Sequence, residues 1–320
     1  MKLRTKVISL SLLAMATSFN AFSQETISLM ISNRSNEFFG VLEQSAVDKA
    51  EELGYEIRVY DAANNASRQP NQVEDAIASG TDAIIINPLN LDASTYVLNE
   101  AISRNIPVIT VDTTVDGVDL LNEIATDNED GGKFAAEWLV NNSELNPSEL
   151  GGIIHMKGLD GHTAHISRYK GFNDYLKSES VSKNWNQLAN NSDKYIELTG
   201  SFSQDEAQTA LEAKLSALDT TKKYVVYNEN DVMAIGSIAA IENDTRFDLK
   251  NFTIIGFDGS SEGKSLVDEG KMAVTVVQDF NFIGSESVRV VDSFLKTGKS
   301  PSDTLTAVEV KMYPEDQSPR

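Results

Sequence analysis

The feature that most constrains the fold of this 320-residue chain is the alternation of short, continuously apolar segments with single amphipathic segments. Continuous apolar runs, such as residues 27–31 and 83–86, are typical of strands buried on both faces, and single helices between them favour parallel pairing. The same alternation returns from residues 153–156 to residues 274–277, and no glycine- or proline-rich linker separates the halves. The sequence therefore predicts an α/β protein with two doubly wound parallel-sheet lobes joined by short crossover segments.

Residues 124–133 connect the two halves and carry polar side chains between a strand and a helix. Thr126, Asp127 and Asn128 follow a short apolar strand, and Gly131-Gly132 precedes an amphipathic segment. Polar groups at such a junction are suited to ligand binding. A helix N-cap explains the same residues, because acidic side chains in a first turn interact favourably with the helix dipole. Taken alone, the segment leaves both interpretations open.

The first 23 residues have the composition of a secretory signal peptide. Basic residues precede an apolar run, and Ala21-Phe22-Ser23 places small residues where a signal peptidase cleaves. No later apolar run reaches the ~20 residues that a transmembrane helix needs, and no cysteine follows Ser23 to carry a lipid anchor. We therefore expect an exported, soluble protein.

The absence of cysteine and the acidic balance limit the possible partners. Without a disulfide the fold must be held by its core alone. A formal net charge of −21 argues against nucleic acid as a partner. We interpret this charge as one that keeps the surface of the protein solvated.

Each half places an asparagine and an aspartate after two neighbouring strands. Asn87 and Asp112 follow strands of the first half, and the corresponding strands of the second half end near Asn230 and at Asp258, so that Asn87 is paired with Asn230. Because the carboxyl ends of parallel strands lie at one edge of a sheet, we expect two facing edges to form a cleft lined by carboxylates and amides. Such groups suit a neutral molecule with many hydroxyls. A turn or a cap is the more common explanation for any one of these residues. Four such residues at equivalent positions weaken that explanation.

The sequence resembles the periplasmic sugar-binding proteins of the ribose type, the soluble receptors of ATP-driven importers, over the whole chain after the signal segment. The resemblance rests on short motifs in a fixed order: Asn36-Glu37-Phe38-Phe39, Ile86-Asn87-Pro88, Val108-Ile109-Thr110-Val111-Asp112, Ala125-Thr126-Asp127-Asn128 with Gly131-Gly132-Lys133, Arg168-Tyr169-Lys170-Gly171-Phe172, Asn230-Asp231-Val232-Met233-Ala234, Gly256-Phe257-Asp258-Gly259, and Gln278. The resemblance implies a binding protein, not an enzyme, that holds a neutral monosaccharide or polyol between its lobes without a cofactor or a metal.

The resemblance also implies which residues bind the ligand. Hydrogen bonds to sugar hydroxyls would come from Asn36, Asp112, Arg168, Asn230, Asp258 and Gln278, with Asn87 in support. Three phenylalanines would cover the ring faces: Phe38, Phe39 and Phe202. Thr113 and Thr126 complete the expected set. We expect Phe39 to be partly core as well, because a residue there can staple the first helix.

The lobe limits and the partners follow from the same resemblance. The signal peptide would span residues 1–23, the first lobe residues 24–126 with 279–304, and the second lobe residues 127–278 with 305–320. The chain would cross between lobes near Thr126, Gln278 and Pro301. The expected partner is the membrane permease of an ABC importer, and the expected state is a monomer. A chemotaxis or quorum-signal receptor of this fold is the alternative, with a chemoreceptor as partner.

One position departs from the ribose type. Such receptors commonly carry an arginine directly after the strand-end aspartate, where this chain has Thr113. Without the five donors of a guanidinium, the ligand must be met there by a shorter group or by water. We therefore expect a ligand other than ribose.

The three histidines are the remaining candidates for chemistry. His162 and His165 have the i, i+3 spacing that suits a metal, with Asp160 as a further ligand. We expect no metal there, since no cysteine is available, and we favour His162 as a cleft-lining residue over a metal ligand. No nucleophile elbow, phosphate loop or dinucleotide fingerprint follows any strand.

Overall fold

The computed structural model describes residues 24–34, 36–113, 115, 117–142 and 144–317. The predicted signal peptide lies outside the described residues. The described chain folds into two six-stranded sheets flanked by helices. This arrangement confirms the predicted class, two parallel-sheet α/β lobes. None of the helices in these ranges has the length and apolar character needed to cross a bilayer.

The first lobe is formed by six strands and four helices. Its elements are β1 (Thr26–Ile31), α1 (Glu37–Leu53), β2 (Glu56–Asp61), α2 (Arg68–Ala78), β3 (Ala83–Ile86), α3 (Leu91–Ser103), β4 (Val108–Val111), β5 (Asn122–Thr126), α10 (Phe280–Thr297) and β11 (Leu305–Val308). The strand order is β11-β5-β4-β3-β1-β2, and every pair is parallel.

The second lobe repeats this plan. Its elements are α4 (Asn128–Asn141), β6 (Leu150–Lys157), α5 (Thr163–Lys177), α6 (Lys183–Ala189), β7 (Tyr195–Thr199), α7 (Gln204–Leu215), β8 (Lys223–Asn228), α8 (Asp231–Asn243), β9 (Phe252–Asp258), α9 (Ser261–Asp268), β10 (Val274–Val277) and β12 (Lys311–Tyr313). The strand order is β12-β10-β9-β8-β6-β7, and only β12 runs antiparallel to its neighbour among the described strands.

Both faces of each sheet are covered, as the continuous apolar strands require. In β1, Leu29 packs in the apolar cluster that contains residues of α1 and α10, whereas the adjacent Met30 packs in the cluster that contains residues of α2 and α3. Successive side chains of a strand point to opposite faces. Two further clusters cover the second sheet in the same way. Because both faces of each sheet are buried, the strands do not alternate between apolar and polar residues.

The last part of the first lobe differs from the prediction. Residues 305–320 were expected in the second lobe, but strand β11 pairs in parallel with β5 of the first sheet over four residues. Strand β12 then pairs with β10 of the second sheet. The third crossing therefore lies at Glu309 and Val310 and not near Pro301. The strand was misplaced because its partner lies about 180 residues away, and nothing in a short local pattern identifies such a partner.

The register of the repeat relates positions in the two lobes. Met30 pairs with Ile86 in the first sheet, and Met156 pairs with Asn228 in the second. Asn87 is therefore equivalent to Glu229, and the backbone N–H groups of these two residues donate to Met30 and Met156, respectively. The sequence pairing of Asn87 with Asn230 was wrong by one residue.

The crossing of α4 and α5 depends on two glycines. A Cβ at Gly132 would collide with the carbonyl oxygen of Arg168, and a Cβ at Gly171 would collide with the carbonyl oxygen of Glu129. The two helix backbones therefore approach more closely than larger residues allow. This close packing fixes the position of α5 relative to α4, and with it the position of Arg168 between the lobes.

We expect Gly171→Ala to lower the free energy of unfolding by about 1–3 kcal/mol, because the added methyl group overpacks the helix contact. Gly40→Ala is the matched control: Gly40 lies inside α1 with no atom near its Cβ position. Alanine there should be neutral or stabilising by up to about 1 kcal/mol. Urea denaturation of both variants measures the two values. Equal stability of the two variants would show that the α4–α5 approach is not tight.

Candidate functional site

A cavity of about 340 Å³ lies between the lobes, at the carboxyl edges of both sheets. Its lining includes eleven of the twelve residues predicted as ligand-binding, which come from both lobes and from the second crossing: Asn36, Phe38, Phe39, Asn87, Asp112, Thr113, Arg168, Phe202, Asn230, Asp258 and Gln278. Parallel pairing explains the gathering, because it brings the carboxyl ends of the central strands to one edge.

Thr126 is the predicted residue that lies elsewhere. It lines a neighbouring cavity of about 210 Å³ beside the first crossing, and Asp112 lines both cavities. The adjacent Asp127 caps helix α4 by accepting a hydrogen bond from Asp130 N at 2.9 Å. The N-cap interpretation of this segment is therefore correct for Asp127.

Asp112 is held by two neighbours in the first lobe. Its Oδ2 accepts hydrogen bonds from Asn87 Nδ2 and from the Thr113 hydroxyl, each at 3.2 Å. Burial raises the pKa of the Asp112 carboxyl, while Arg168 and His162 across the cleft oppose that rise. Thr113 uses its hydroxyl on the carboxylate, so it orients Asp112 and does not replace a guanidinium.

Arg168 is the cationic centre of the second lobe and is only 4% exposed. Its Nε donates to Asn128 Oδ1 at 2.8 Å, and its Nη1 donates to the carbonyl oxygen of Glu229 at 2.5 Å. The guanidinium carbon lies 3.8 Å from the ring centroid of Phe257. Backbone, amide and aromatic contacts therefore fix the orientation of this side chain.

Asp258 faces Arg168 from the end of β9. Its Oδ1 lies 3.5 Å from Arg168 Nη1 and accepts a hydrogen bond from Gln278 Nε2 at 2.5 Å. Burial raises the pKa of Asp258 well above its usual value; Arg168 opposes this rise and Asp231 adds to it. Gln278 Oε1 is buried and has no partner in the described chain. One residue of the cavity lining therefore keeps a buried acceptor without a hydrogen-bond donor among the described residues.

Backbone strain is concentrated at this cavity. Four of its non-glycine residues have positive φ angles: Asn64 at 57°, Asp112 at 64°, Phe202 at 58° and Asp258 at 119°. Each such conformation costs on the order of 1–3 kcal/mol and persists only where surrounding contacts enforce it. Strain of this kind is typical of functional sites, because it fixes side chains in place before a ligand arrives.

Aromatic rings supply the apolar part of the lining. Phe280 packs against Phe38 with a centroid distance of 5.0 Å and against the edge of Phe39 at 6.3 Å. Phe38 and Phe39 also pack on the first-lobe core, as expected for Phe39. On the second lobe, Phe202 meets His162 edge to face at 5.4 Å. Both lobes therefore offer flat apolar surface.

Several lining residues were absent from the prediction. Phe280 follows the second crossing directly, and only the fold of that crossing brings it to the cavity. Asn64 comes from the loop after β2, which no sequence motif distinguished. His162 lines the cavity, as weighed from the sequence, and its Nδ1 accepts a hydrogen bond from Ala164 N at 3.3 Å. Within the described ranges no group of three acidic or histidine side chains is arranged for a metal ion.

The protein-family model described as "Periplasmic binding protein domain" matches residues 27–300. The ribose import binding protein of Haemophilus influenzae is 31% identical over 299 residues, which cover 93% of this chain and 95% of that protein. The ribose import binding protein of Escherichia coli K12 is 30% identical over 93% of this chain and 94% of its own.

A solved structure agrees with these matches. The ABC transporter solute-binding protein of Bacillus halodurans C-125, with bound myo-inositol, superposes with a TM-score of 0.76 at 26% identity. The superposition covers 92% of this chain and 96% of that protein. Family model, sequence relatives and fold thus agree over nearly the whole described chain, and the protein belongs to the family of periplasmic binding proteins.

Proposed function

We propose that this protein is an exported binding protein that captures a neutral monosaccharide or polyol between its lobes and delivers it to an ABC importer. One observation carries this proposal. Asp112 and Asp258 come from opposite lobes and line one cavity together with Arg168, whose charge acts on both carboxyl groups. A polyhydroxylated ligand fits this lining, because its hydroxyls donate to carboxylates and accept from the guanidinium.

The charge of the cavity favours a neutral ligand. Two buried aspartates, whose pKa values burial raises, face a single arginine, and burial lowers the pKa of His162 more than Asp112 raises it. A sugar phosphate or a uronate would add a negative charge at a site where burial already disfavours the ionised carboxyl groups. Phe202 and the Phe38–Phe280 pair suit the apolar C–H faces of a ring. The cavity lining therefore offers partners for both the polar rim and the apolar faces of a sugar ring.

The ligand is proposed to be a sugar or polyol other than ribose. Relatives are named for ribose and D-apiose import, and similar structures hold myo-inositol and D-allose. The Thr113 hydroxyl is bonded to Asp112 and supplies no forked donor to the ligand. We therefore expect D-allose or myo-inositol to bind more tightly than D-ribose, and these three compounds serve as probes below.

The proposal includes where the protein acts and with what. The signal segment directs it to the periplasm, where it works as a monomer with the permease of an ABC importer and leaves its ligand unaltered. A chemoreceptor is a second proposed partner. The relatives named for import favour the importer over the chemotaxis or quorum-signal alternative. Product analysis after prolonged incubation with a bound sugar separates binding from catalysis.

A thermal-shift screen over pentoses, hexoses, polyols, amino acids and metal ions tests the proposed ligand class. A ligand at about one hundred times its dissociation constant should stabilise the protein by ~2.7 kcal/mol. We expect at least one neutral sugar or polyol to raise the melting temperature by several degrees. A response confined to amino acids or metal ions would refute the class.

Replacing either cavity carboxylate should weaken binding of the identified sugar. We expect Asp112→Ala and Asp258→Ala each to cost about 2–3 kcal/mol of binding free energy, since buried ligand hydroxyls lose a charge-assisted partner. Asp244→Ala is the control, because Asp244 pairs with Arg246 on the surface. Titration calorimetry measures all three. Affinity within threefold of the parent would remove that aspartate from the site.

Closure of the two lobes is the proposed transport signal, because a ligand that touches both lobes gains its full set of hydrogen bonds only when they approach. A contact outside the cavity supports a closed form. Ser261, the first residue of α9, donates its hydroxyl to Glu37 Oε1 at 2.5 Å and its N–H to both carboxylate oxygens at 3.2 Å. Glu37 is itself the first residue of α1, so one carboxylate lies at two helix N-termini.

Proline substitutions test this clasp between Glu37 and Ser261 without breaking either helix. Proline is favoured at the first helical position, and Asn36 and Ser260 already have extended backbones that tolerate a following proline. We expect Glu37→Pro and Ser261→Pro each to speed ligand dissociation by about 3- to 10-fold. This change corresponds to the free energy of one or two such hydrogen bonds. Because both remove the same contact, the double variant should add little.

Gln204→Pro, at the first position of α7, is the matched control. Stopped-flow dissociation measures the rates, and small-angle scattering with and without ligand measures closure. Unchanged rates in both clasp variants, or a radius of gyration that ligand leaves unaltered, would argue against this closure mechanism.

A further inference from the structure

Glu229 is a fully buried carboxylate directly behind the cavity, and it is the second-lobe equivalent of Asn87. Its Oε1 accepts a hydrogen bond from His155 Nε2 at 2.8 Å. Its Oε2 accepts from His165 Nδ1 at 2.7 Å and from Gly158 N at 2.8 Å. Glu229 is not among the residues that line the cavity.

The hydrogen bonds account for the burial of this charge. A buried carboxylate is costly unless its lone pairs are satisfied. Burial raises the pKa of Glu229, but the hydrogen bonds from His155 and His165 outweigh it and hold that pKa at about 2. The group is therefore a carboxylate at neutral pH, and His155, His165 and Gly158 all donate to it.

The partners of Glu229 lead directly to the ligand site. Its own carbonyl oxygen accepts from Arg168 Nη1, and Asn230 is the next residue of the chain. The ring of Phe202 lies against Gly158, where a Cβ would collide with it. The loop that Glu229 holds through Gly158 N–H therefore supports the aromatic surface of the second lobe. Three cavity-lining residues are thus linked to Glu229: Arg168 and Asn230 through its backbone, and Phe202 through its side chain.

We propose that Glu229 is a positioning residue that sets the second-lobe half of the ligand site through its three hydrogen bonds, and that the geometry of these bonds and not the negative charge does so. Only the measurement of ligand affinity rests on the proposed function. The measurement of side-chain positions uses the unliganded protein and needs no ligand.

Substitution by glutamine separates geometry from charge. The amide oxygen in the Oε2 position still accepts from His165 Nδ1 and Gly158 N, while the amide NH₂ meets His155 Nε2. His155 then has to carry its proton on Nδ1, which lies 2.7 Å from the Tyr195 hydroxyl and can donate to it. The network therefore stays intact after one change of tautomer. Aspartate keeps the charge but is one CH₂ shorter, so it cannot reach all three donors.

The test compares Glu229→Gln with Glu229→Asp. We expect Glu229→Gln to bind the best of D-ribose, D-allose and myo-inositol within about threefold of the parent, and Glu229→Asp to bind it at least about tenfold more weakly. In unliganded ¹⁵N-labelled protein, Glu229→Gln should move the His155 proton from Nε2 to Nδ1. The Arg168 Nε–H resonance should shift in Glu229→Asp and stay in place in Glu229→Gln.

Glu197→Asp and Glu197→Gln are the matched controls. Glu197 lies on β7 in the same lobe and also ties α5 to the sheet, by accepting from the Tyr169 hydroxyl at 2.6 Å. Glu197 is exposed and does not line the cavity, so neither variant should alter affinity or the Arg168 resonance.

Parent-like binding by Glu229→Asp would overturn the proposal, and so would a tenfold loss in Glu229→Gln. If no probe binds the parent, the proposed function is in doubt, but the resonance of Arg168 still decides the positioning role. If Glu229→Asp does not fold, a displaced Arg168 resonance in folded Glu229→Gln would refute the proposal, and a retained one with the switched tautomer supports it.

Discussion

Parallel strand pairing is the constraint on which the site depends. It directs the carboxyl ends of β3 and β4 to one edge of the first sheet, and those of β8 and β9 to the same edge of the second. Backbone hydrogen bonding thereby determines where Asp112 and Asp258 lie, independently of contacts between side chains. Because three crossings join the lobes at their sheet edges, the two sets of strand ends face each other and enclose the cavity.

The electrostatics of the cavity follow from that geometry. Burial of Asp112 and Asp258 raises both pKa values, and Arg168 acts against both shifts. The arginine in turn is held by Asn128 and by the backbone of Glu229, so its position is set within the second lobe. The neutral hydroxylated ligand that we propose would complete this arrangement, because its donors would replace the water that the carboxylates lose on burial. Charge, burial and fixed orientation thus act together.

Both lobes use the same fold but fill equivalent positions differently. Asn87 reaches Asp112 through its amide, whereas its equivalent Glu229 turns to His155 and His165 behind the cavity. The first lobe thus contributes Asn87 itself to the lining, and the second contributes the neighbouring Asn230. The repeat conserves backbone geometry, since strand register requires it, while the side chains divide the tasks of lining and support.

The sequence by itself determined the elements and the class of fold, because apolar periodicity is local, and it placed Asp112 and Asp258 at strand ends. Most of the other predicted residues of the cavity lining came from the resemblance to a known family. Only the tertiary structure decided which distant strands pair. It placed Leu305–Val308 beside β5, brought Phe280 to the cavity, kept Thr126 out of it and made Glu229, not Asn230, the equivalent of Asn87. Each of these outcomes depends on register or on a contact between residues far apart in the chain, which local patterns do not encode.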